Sequence, residues 1–335
     1  MSAPTPHRVP RHPAPTDLDL AGTELAWRTT VDAVFPGALG HYPDRAPLTA
    51  ALARRLGLGP ERVLVTAGSD DALERAFRLV LAPGREAILT RPTFEMLPRF
   101  ARLAGATVVE VPWPRGPFPV DAIRRAVTPR TALVAVVSPN NPTGAVATAE
   151  EIASVVAAAP EALIVVDLAY VEFAESDPTD ALLGLPRTLL TRTFSKAWGL
   201  AGLRVGYAAG PAEVIAGLET TSLPYPVAAP SLRVAERALA DGATVMAERV
   251  AAVRRARTAL TGRLATLGAP ALPSEGNFLT VEGPRAPWLR DGLAGLGIAV
   301  RALEGDDGLR VRITCPADSA PAERLDAALL TVLRP

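Results

Sequence analysis

Short runs of β-branched and aliphatic residues alternate with helical patterns through the middle of this chain. Several of these runs are apolar at every position, as expected of strands that helices cover on both faces. The alternation predicts an α/β domain with a mostly parallel sheet. The predicted strands lie at residues 63–66, 87–90, 107–111, 132–137, 163–167, 188–191 and 204–208, and the helices at about 70–81, 94–104 and 149–158.

The length of the chain and its later pattern predict a second, smaller α/β domain. A chain of 335 residues usually divides its core between two domains. A long helical pattern at 231–267 leads to predicted strands at 278–281, 298–301 and 309–313 and helices at 288–296 and 322–333. We expect a large domain at 41–240, a small domain at 241–335, and an N-terminal segment, 1–40, that packs with the small domain.

Composition limits the classes of partner. The formal net charge is zero and the pI is about 6.9, so no basic excess is available to neutralise a nucleic acid backbone. Cys315 is the only cysteine, which excludes an internal disulfide and suits a reducing cytoplasm. We find neither a signal peptide in the proline-rich N-terminus nor an apolar run long enough to span a membrane.

One lysine, Lys196, stands among 35 basic residues. Arginine can replace lysine wherever only positive charge matters. It cannot do so where an amine must lose its proton and attack a carbonyl, because a guanidinium stays protonated. The surrounding sequence, Thr193-Phe-Ser-Lys-Ala-Trp-Gly-Leu-Ala-Gly-Leu-Arg204, supports a chemical role for this amine.

Several polar and aromatic residues follow the ends of predicted strands. Ligands of open α/β sheets bind at the carboxyl ends of the strands, so these residues should share one edge of the sheet. They are Asp167, Asn141 in the turn Ser138-Pro-Asn-Asn-Pro-Thr-Gly144, the helix start Gly68-Ser69-Asp70, Phe94 and Lys196.

This set suits a phosphorylated pyridine aldehyde. Backbone amides at Gly68-Ser69-Asp70 would bind the phosphate, and Arg204, Ser195 and Thr193 would complete its binding site.

The other residues suit the ring and the aldehyde of the same ligand. Asp167 would keep the ring nitrogen protonated, Phe94 would stack on the ring, and Asn141 and Tyr170 would hydrogen-bond its phenolic oxygen. Lys196 would condense with the aldehyde and later carry a proton.

Each of these residues also has a purely structural explanation. Asp167 could cap a helix, the Asn-Asn-Pro-Thr-Gly stretch could be only a turn, and Phe94 could belong to the core. Other chemistries find less support, because Gly-x-Ser-x-Gly and Walker sequences are absent and the histidines have no metal-ligand spacing with cysteine.

The motifs together resemble those of the fold-type I pyridoxal-phosphate enzymes, and most closely those of histidinol-phosphate aminotransferases. The resemblance runs from about residue 42 to 314 and implies a fold with a large, mostly parallel sheet and a smaller C-terminal α/β domain. The motifs that carry it are His41-Tyr-Pro-Asp, Ala67-Gly-Ser-Asp, Pro92-Thr-Phe, Pro139 to Gly144, Asp167-x-Ala-Tyr170, Ser195 to Tyr207, Asn277-Phe278 and Arg312-Ile-Thr.

The resemblance implies further roles. Tyr42 is expected to reach the cofactor phosphate of a partner subunit, which implies a homodimer with shared active sites. Arg312 is expected to hold the substrate's α-carboxylate, and Arg301 resembles a residue near the substrate's distal group. Asn277 and Trp27 would also line the substrate site, with Trp27 replacing a tyrosine hydroxyl of the family.

The resemblance therefore implies an aminotransferase whose cofactor is pyridoxal 5'-phosphate and whose favoured donor is histidinol phosphate, with 2-oxoglutarate as acceptor. Three alternatives stay open: a decarboxylase similar to threonine-phosphate decarboxylase, an aminotransferase for aromatic amino acids, and a non-catalytic cofactor-binding protein.

Overall fold

The structure, a computed structural model, describes residues 17–20, 41–305 and 308–333. Most of the N-terminal segment, including Trp27, therefore lies outside the described residues. Within the described ranges, no helix has both the length and the apolar character that crossing a membrane requires.

The described strands and helices alternate through most of the chain. The strands are β1 Leu18–Leu20, β2 Val63–Thr66, β3 Glu86–Arg91, β4 Thr107–Pro112, β5 Thr131–Val137, β6 Leu163–Asp167, β7 Thr188–Thr193, β8 Gly206–Ala209, β9 Phe278–Glu282, β10 Ile298–Gly305 and β11 Gly308–Thr314. The helices are α1 Ala46–Leu56, α2 Ser69–Val80, α3 Met96–Leu103, α4 Val120–Ala126, α5 Ala149–Ala158, α6 Thr179–Leu183, α7 Ala212–Thr220, α8 Ala229–Asp241, α9 Ala243–Thr266, α10 Ala286–Gly295 and α11 Ser319–Leu333.

A 7-stranded sheet in the order β2-β8-β7-β6-β5-β3-β4 forms the larger part of the fold. Only β8 runs antiparallel to its neighbours β2 and β7; its link from β7 carries no crossover α-helix, and a parallel neighbour needs such a crossover. A 4-stranded sheet in the order β1-β10-β11-β9 forms the smaller part. These two sheets confirm the predicted fold class.

The core explains why the strands of the large sheet are apolar throughout. Val134 and Val136 of β5 pack into the core on one face of the sheet. Leu133 and Val137, which alternate with them, pack into the core on the other face. Because successive side chains of a strand point to opposite faces, a sheet covered twice leaves no position for a solvated residue.

Two predicted elements differ from the structure. The strand predicted at 204–208 begins only at Gly206, because Arg204 ends a short 3-10 helix with a φ of 50°. The single helical pattern at 231–267 is two helices that meet at Gly242. A Cβ at Gly242 would lie 2.5 Å from the carbonyl oxygen of Ala238, so this glycine permits the bend.

One arginine of α9 joins the two parts of the fold. Nη1 of Arg257 donates to the carbonyl oxygen of Phe173, just after β6, at 3.1 Å. It also donates to the carbonyl oxygen of Gly276, just before β9, at 2.8 Å. Both carbonyls belong to buried residues. The Phe173 carbonyl also accepts from Nε of Arg254 at 3.2 Å. Loss of Arg257 should therefore leave the cost of desolvation mainly at the buried carbonyl of Gly276.

We predict that Arg257→Ala lowers the free energy of unfolding by about 1–3 kcal/mol, measured by urea denaturation. Arg255→Ala, an exposed arginine on the same helix, is the control and should change it by less than about 0.5 kcal/mol. Equal stability of the two variants would contradict the role of Arg257.

Candidate active site

Lys196 lies at the carboxyl edge of the large sheet, three residues after the end of β7. Its side chain is half-buried, and its Nζ lies 5.6 Å from the centroid of the Tyr170 ring. Burial raises the pKa of the Asp167 carboxyl, and the amine is close enough to that carboxyl for its charge to oppose the rise. The lone amine and the acid predicted to act with it therefore lie at the same edge.

Asp167 is the last residue of β6 and is 4% exposed. Thr191, its neighbour in register on β7, donates its hydroxyl to Oδ1 at 2.9 Å. Burial disfavours the charged form and raises the pKa of Asp167 to about 7, although the Thr191 hydroxyl and the Lys196 charge both act in the opposite direction. A buried carboxyl of this kind is poised to bind a cationic group.

Asn141 lies at the same edge, in the turn that follows β5. Its Oδ1 accepts a hydrogen bond of 2.6 Å from Nη1 of Arg312, a residue of β11 in the small sheet. Because arginine only donates, this contact fixes the orientation of the amide and leaves Nδ2 as a donor. Asn140, which is fully buried, holds the turn by donating to the carbonyl oxygen of Pro92 at 3.0 Å.

Aromatic contacts connect Arg312 back to the lysine. The Arg312 guanidinium lies 5.2 Å from the centroid of the Phe278 ring. Phe278 meets Tyr170 edge to face, with ring centroids 5.2 Å apart, and Tyr170 lies beside Lys196. The two sheets therefore meet around a cluster that holds an amine and a guanidinium among aromatic rings.

The start of α2 brings backbone amides close to a guanidinium. Gly68 precedes the helix with a φ of 83° and no side chain caps the first turn, so its amides are not bonded to a capping side chain. Nη1 of Arg204 donates to Oγ of Ser195 at 3.2 Å, and Nη2 donates to Oδ2 of Asp70 at 3.3 Å. Thr193 is buried close by and accepts from the amide of Ser195.

The backbone of β8 approaches this helix start closely. A Cβ at Gly206 would lie 2.5 Å from the carbonyl carbon of Gly68 and 2.6 Å from the amide nitrogen of Ser69. A Cβ at Gly68 would lie 2.8 Å from Nη2 of Arg204. Both glycines therefore keep the helix amides and the guanidinium close together.

Other predicted site residues are placed less centrally. Phe94 is half-buried before α3 and packs on the core. Asn277 is fully buried, and its carbonyl oxygen accepts from the amide of Cys315. Tyr42 is 79% exposed and stacks on Tyr225 at a centroid distance of 4.4 Å.

Three residues of the site region were not singled out from the sequence. Thr191 could have been found by aligning the ends of β6 and β7, because it lies in register with Asp167. Asn140 lies within the turn singled out for Asn141, but spacing alone does not show that its side chain holds the turn. Glu95, which binds Arg301, joins segments 206 residues apart, and a single sequence carries no sign of such a contact.

We predict that Asp167→Asn stabilises the protein prepared without cofactor. Since burial raises the pKa of Asp167 from 3.8 to about 7, the folded protein retains a proton between these pH values that the unfolded chain has released. Stability due to this group is therefore lost as pH rises through that window. Asparagine keeps the acceptor for Thr191 and carries no charge. The free energy of unfolding of Asp167→Asn, relative to that of the original protein, should increase by about 2 kcal/mol between pH 5 and pH 8. The measurement is urea denaturation at a series of pH values.

Asp318→Asn, at an exposed position before α11, is the control and should show no such pH-dependent gain. A stability difference between Asp167→Asn and the original protein that stays constant over this pH range would contradict the prediction.

Comparison with known proteins gives a consistent result. The model of the family "aminotransferase class I and II" matches residues 36–329. The aromatic amino acid aminotransferase of Mycobacterium bovis is 36% identical over 337 residues, which cover 94% of this chain and 93% of that protein. The enzyme of the same name from Mycolicibacterium vanbaalenii is 35% identical over 301 residues, which cover 87% of this chain and 85% of that protein.

Solved structures share the fold. The histidinol-phosphate aminotransferase of Sinorhizobium meliloti in complex with pyridoxal-5'-phosphate has a TM-score of 0.87 and 27% identity, covering 96% of this chain and 92% of that one. The aspartate aminotransferase of Thermus thermophilus with maleate has a TM-score of 0.79 and 27% identity, covering 94% of this chain and 90% of that one.

The residues at the carboxyl edge fit the cofactor of this family. The uncapped start of α2 with Arg204 suits a phosphate, the buried Asp167 suits a protonated ring nitrogen, and Lys196 supplies an amine for an aldehyde. The chain belongs to the class I and II aminotransferases of fold type I, and its cofactor is pyridoxal 5'-phosphate.

Proposed function

We propose that this protein transfers the amino group of an aromatic L-amino acid to a 2-oxo acid such as 2-oxoglutarate. The observation that carries the proposal is the series of contacts from Lys196 through Tyr170 and Phe278 to Arg312 and Asn141. It joins the amine to a guanidinium that can bind a carboxylate, and the side chains between them are aromatic. An amino acid with an aromatic side chain matches both features.

In this proposal, the cofactor is held at its phosphate and at its ring. The amides at Gly68-Ser69-Asp70, the hydroxyls of Thr193 and Ser195, and Arg204 bind the phosphate. The Asp167 carboxylate would bind the protonated ring nitrogen. The positive charge of the ring would stabilise the ionised form of this buried acid.

Further residues would hold the face and the edge of the ring. Phe94 stacks on the ring face. Nδ2 of Asn141 and the hydroxyl of Tyr170 donate to the phenolic oxygen.

Lys196 would act at two points of the reaction. When bound, pyridoxal phosphate supplies an aldehyde that carries the amino group and a ring that accepts the electron pair released at the α-carbon. Nζ of Lys196 would hold the cofactor between turnovers. With the donor bound, the same Nζ would take the α-proton of the donor and later return a proton. Asp167 keeps its charge beside the ring nitrogen throughout.

Arg312 would orient the donor. Its guanidinium can form two parallel hydrogen bonds with the α-carboxylate, which fixes the direction of the α-carbon. The hydrogen bond to Asn141 holds it next to the ring site, and the buried Asn277 precedes Phe278 in the same wall. Trp27, which we expect to contribute to this site, lies outside the described residues.

The relatives support the choice of an aromatic donor, since enzymes named for aromatic amino acids match nearly the whole chain. Histidinol phosphate is the second candidate. It is favoured by the likeness to the Sinorhizobium meliloti enzyme and by a second cation, Arg301, which lies opposite Arg312 in the β10–β11 pair.

We also propose a homodimer in the cytoplasm, with the large domain at 41–240, the small domain at 241–335 and the segment 1–40 beside the small domain. The exposure of Tyr42 supports the dimer, because this side chain is accessible to a partner subunit's cofactor phosphate. The cytoplasmic assignment is supported by the absence of any possible internal disulfide, as Cys315 is the only cysteine.

We predict that L-phenylalanine and L-tyrosine, added singly to the cofactor-loaded enzyme without acceptor, convert its pyridoxal phosphate to pyridoxamine phosphate. The measurement is the loss of the cofactor's visible absorbance, with the product identified by chromatography. Lys196→Ala is the control and should show no conversion, because it lacks the amine that moves the proton. Conversion by histidinol phosphate alone would favour the second candidate, and release of carbon dioxide in place of an oxo acid would identify a decarboxylase.

We predict that Gly206→Ala weakens cofactor binding. The added Cβ would press on the backbone at Gly68 and Ser69 and displace the amides proposed to bind the phosphate. Titration of the cofactor-free protein with pyridoxal phosphate should show a dissociation constant raised about tenfold or more, equivalent to about 1.4 kcal/mol. Gly202→Ala is the matched control, because a Cβ there meets no atom within 4 Å. Unchanged affinity in Gly206→Ala would argue against this phosphate site.

A further inference from the structure

Two arginines lie side by side in the small sheet. Arg301 of β10 and Arg312 of β11 are direct partners in an antiparallel pair, so their side chains share one face of the sheet. Arg312 reaches Asn141 at the carboxyl edge of the large sheet. The side chain of Arg301 is only 16% exposed. Together they could attract an anion with more charge than one carboxylate.

Arg301 is not left to act as a second cation. Its Nη2 donates to both carboxylate oxygens of Glu95, at 3.1 Å to Oε1 and 2.9 Å to Oε2. Glu95 follows Phe94 directly, in the segment between β3 and α3. The acid therefore comes from the same segment as the aromatic residue proposed to stack on the cofactor ring.

The two arginines and Glu95 carry a combined formal charge of one positive unit. Arg312 contacts the neutral amide of Asn141. Arg312 can bind the carboxylate of an aromatic amino acid without disturbing the Arg301–Glu95 pair. A phosphate dianion would be matched by two positive charges, and it would have to displace or approach the Glu95 carboxylate to reach Arg301.

We propose that Glu95 is a specificity-determining residue that selects donors with one carboxylate against phosphorylated donors, by neutralising Arg301. This inference rests on the proposed aromatic donor. Specificity here comes from a repulsive group as much as from an attractive one. An aromatic amino acid leaves the Arg301–Glu95 pair intact, whereas a phosphorylated donor has to break it.

A purely structural role for Glu95 would have a different signature. The pair links β10 to the segment before α3, but the Glu95 side chain is 46% exposed. Partly solvated ion pairs contribute little to stability, typically about 0–1 kcal/mol. Loss of the charge should therefore change anion preference far more than it changes the free energy of unfolding.

The test is Glu95→Gln in the cofactor-loaded enzyme. Glutamine has the same size and can still accept from Arg301, but it has no charge. We expect the second-order rate constant of the half-reaction with L-phenylalanine to stay within about threefold, and that with histidinol phosphate to rise about tenfold or more. The inhibition constant of inorganic phosphate against L-phenylalanine should fall by a similar factor.

Two further variants identify the cause of any gain. In the double variant Glu95→Gln/Arg301→Gln the gain in phosphate affinity should disappear, because the cation that Glu95 neutralises is gone. Glu110→Gln is the matched control: Glu110 pairs with Arg91 at 3.5 Å and its side chain is 41% exposed, so the same charge is removed without freeing Arg301. This variant should bind inorganic phosphate as the original protein does.

Unchanged phosphate affinity in Glu95→Gln, an equal gain in Glu110→Gln, or a gain that survives the loss of Arg301 would each overturn the inference. If L-phenylalanine fails as a donor in the unaltered enzyme, the proposed function fails. The effect of Glu95 is then read from the inhibition of whichever donor is active, so the two failures are distinguishable.

Discussion

The burial of one carboxylate, that of Asp167, is the constraint on which the site depends. Asp167 is the last residue of the central strand β6, where neighbouring strands exclude water. Burial raises the pKa of Asp167 to about 7, although the Thr191 hydroxyl, a backbone hydrogen bond from Ala169 and the nearby charge of Lys196 all act in the opposite direction. The apoprotein is therefore less stable than it could be near neutral pH. In the proposed site, the cofactor's protonated ring would relieve this deficit, which would couple binding of the cofactor to stability of the fold through a single group.

The second constraint is that the site is built from both sheets. The large sheet supplies the lysine, the buried acid and the helix start, while the small sheet supplies Arg312 and Phe278. Arg312 bonds to Asn141, and Arg257 donates hydrogen bonds to carbonyls beside both sheets. Any relative displacement of the sheets would change the distance between the amine and the guanidinium. Positioning of the substrate therefore depends on contacts far from the reacting atoms, since a shift of about 1 Å in geometry can cost much of the rate.

The sequence predicted the parts of this fold that depend on local patterns. The alternation of apolar runs and helices predicted the parallel sheet, because a strand such as β5, which is buried on both faces, favours apolar residues along its length. Counting residues after strand ends placed Asp167 and Asn141 at one edge. What remained hidden was non-local: Thr191 acts through a neighbouring strand, and Glu95 reaches Arg301 from the other sheet. Backbone geometry also mattered, since the left-handed Arg204 delays the start of β8.

In our proposal, donor specificity depends on these same non-local contacts. The chemistry of the cofactor needs a fixed set of residues at the ends of consecutive strands, and short sequence motifs therefore reveal it. The donor, by contrast, would be recognised by the balance of charge between β10, β11 and the segment before α3. Arg301 alone would suggest a binding site for a phosphate, and its pairing with Glu95 reverses that expectation. The anion that an active-site cation can bind therefore depends also on the acids around that cation, and these acids must be sought in space, on every element that packs against the site.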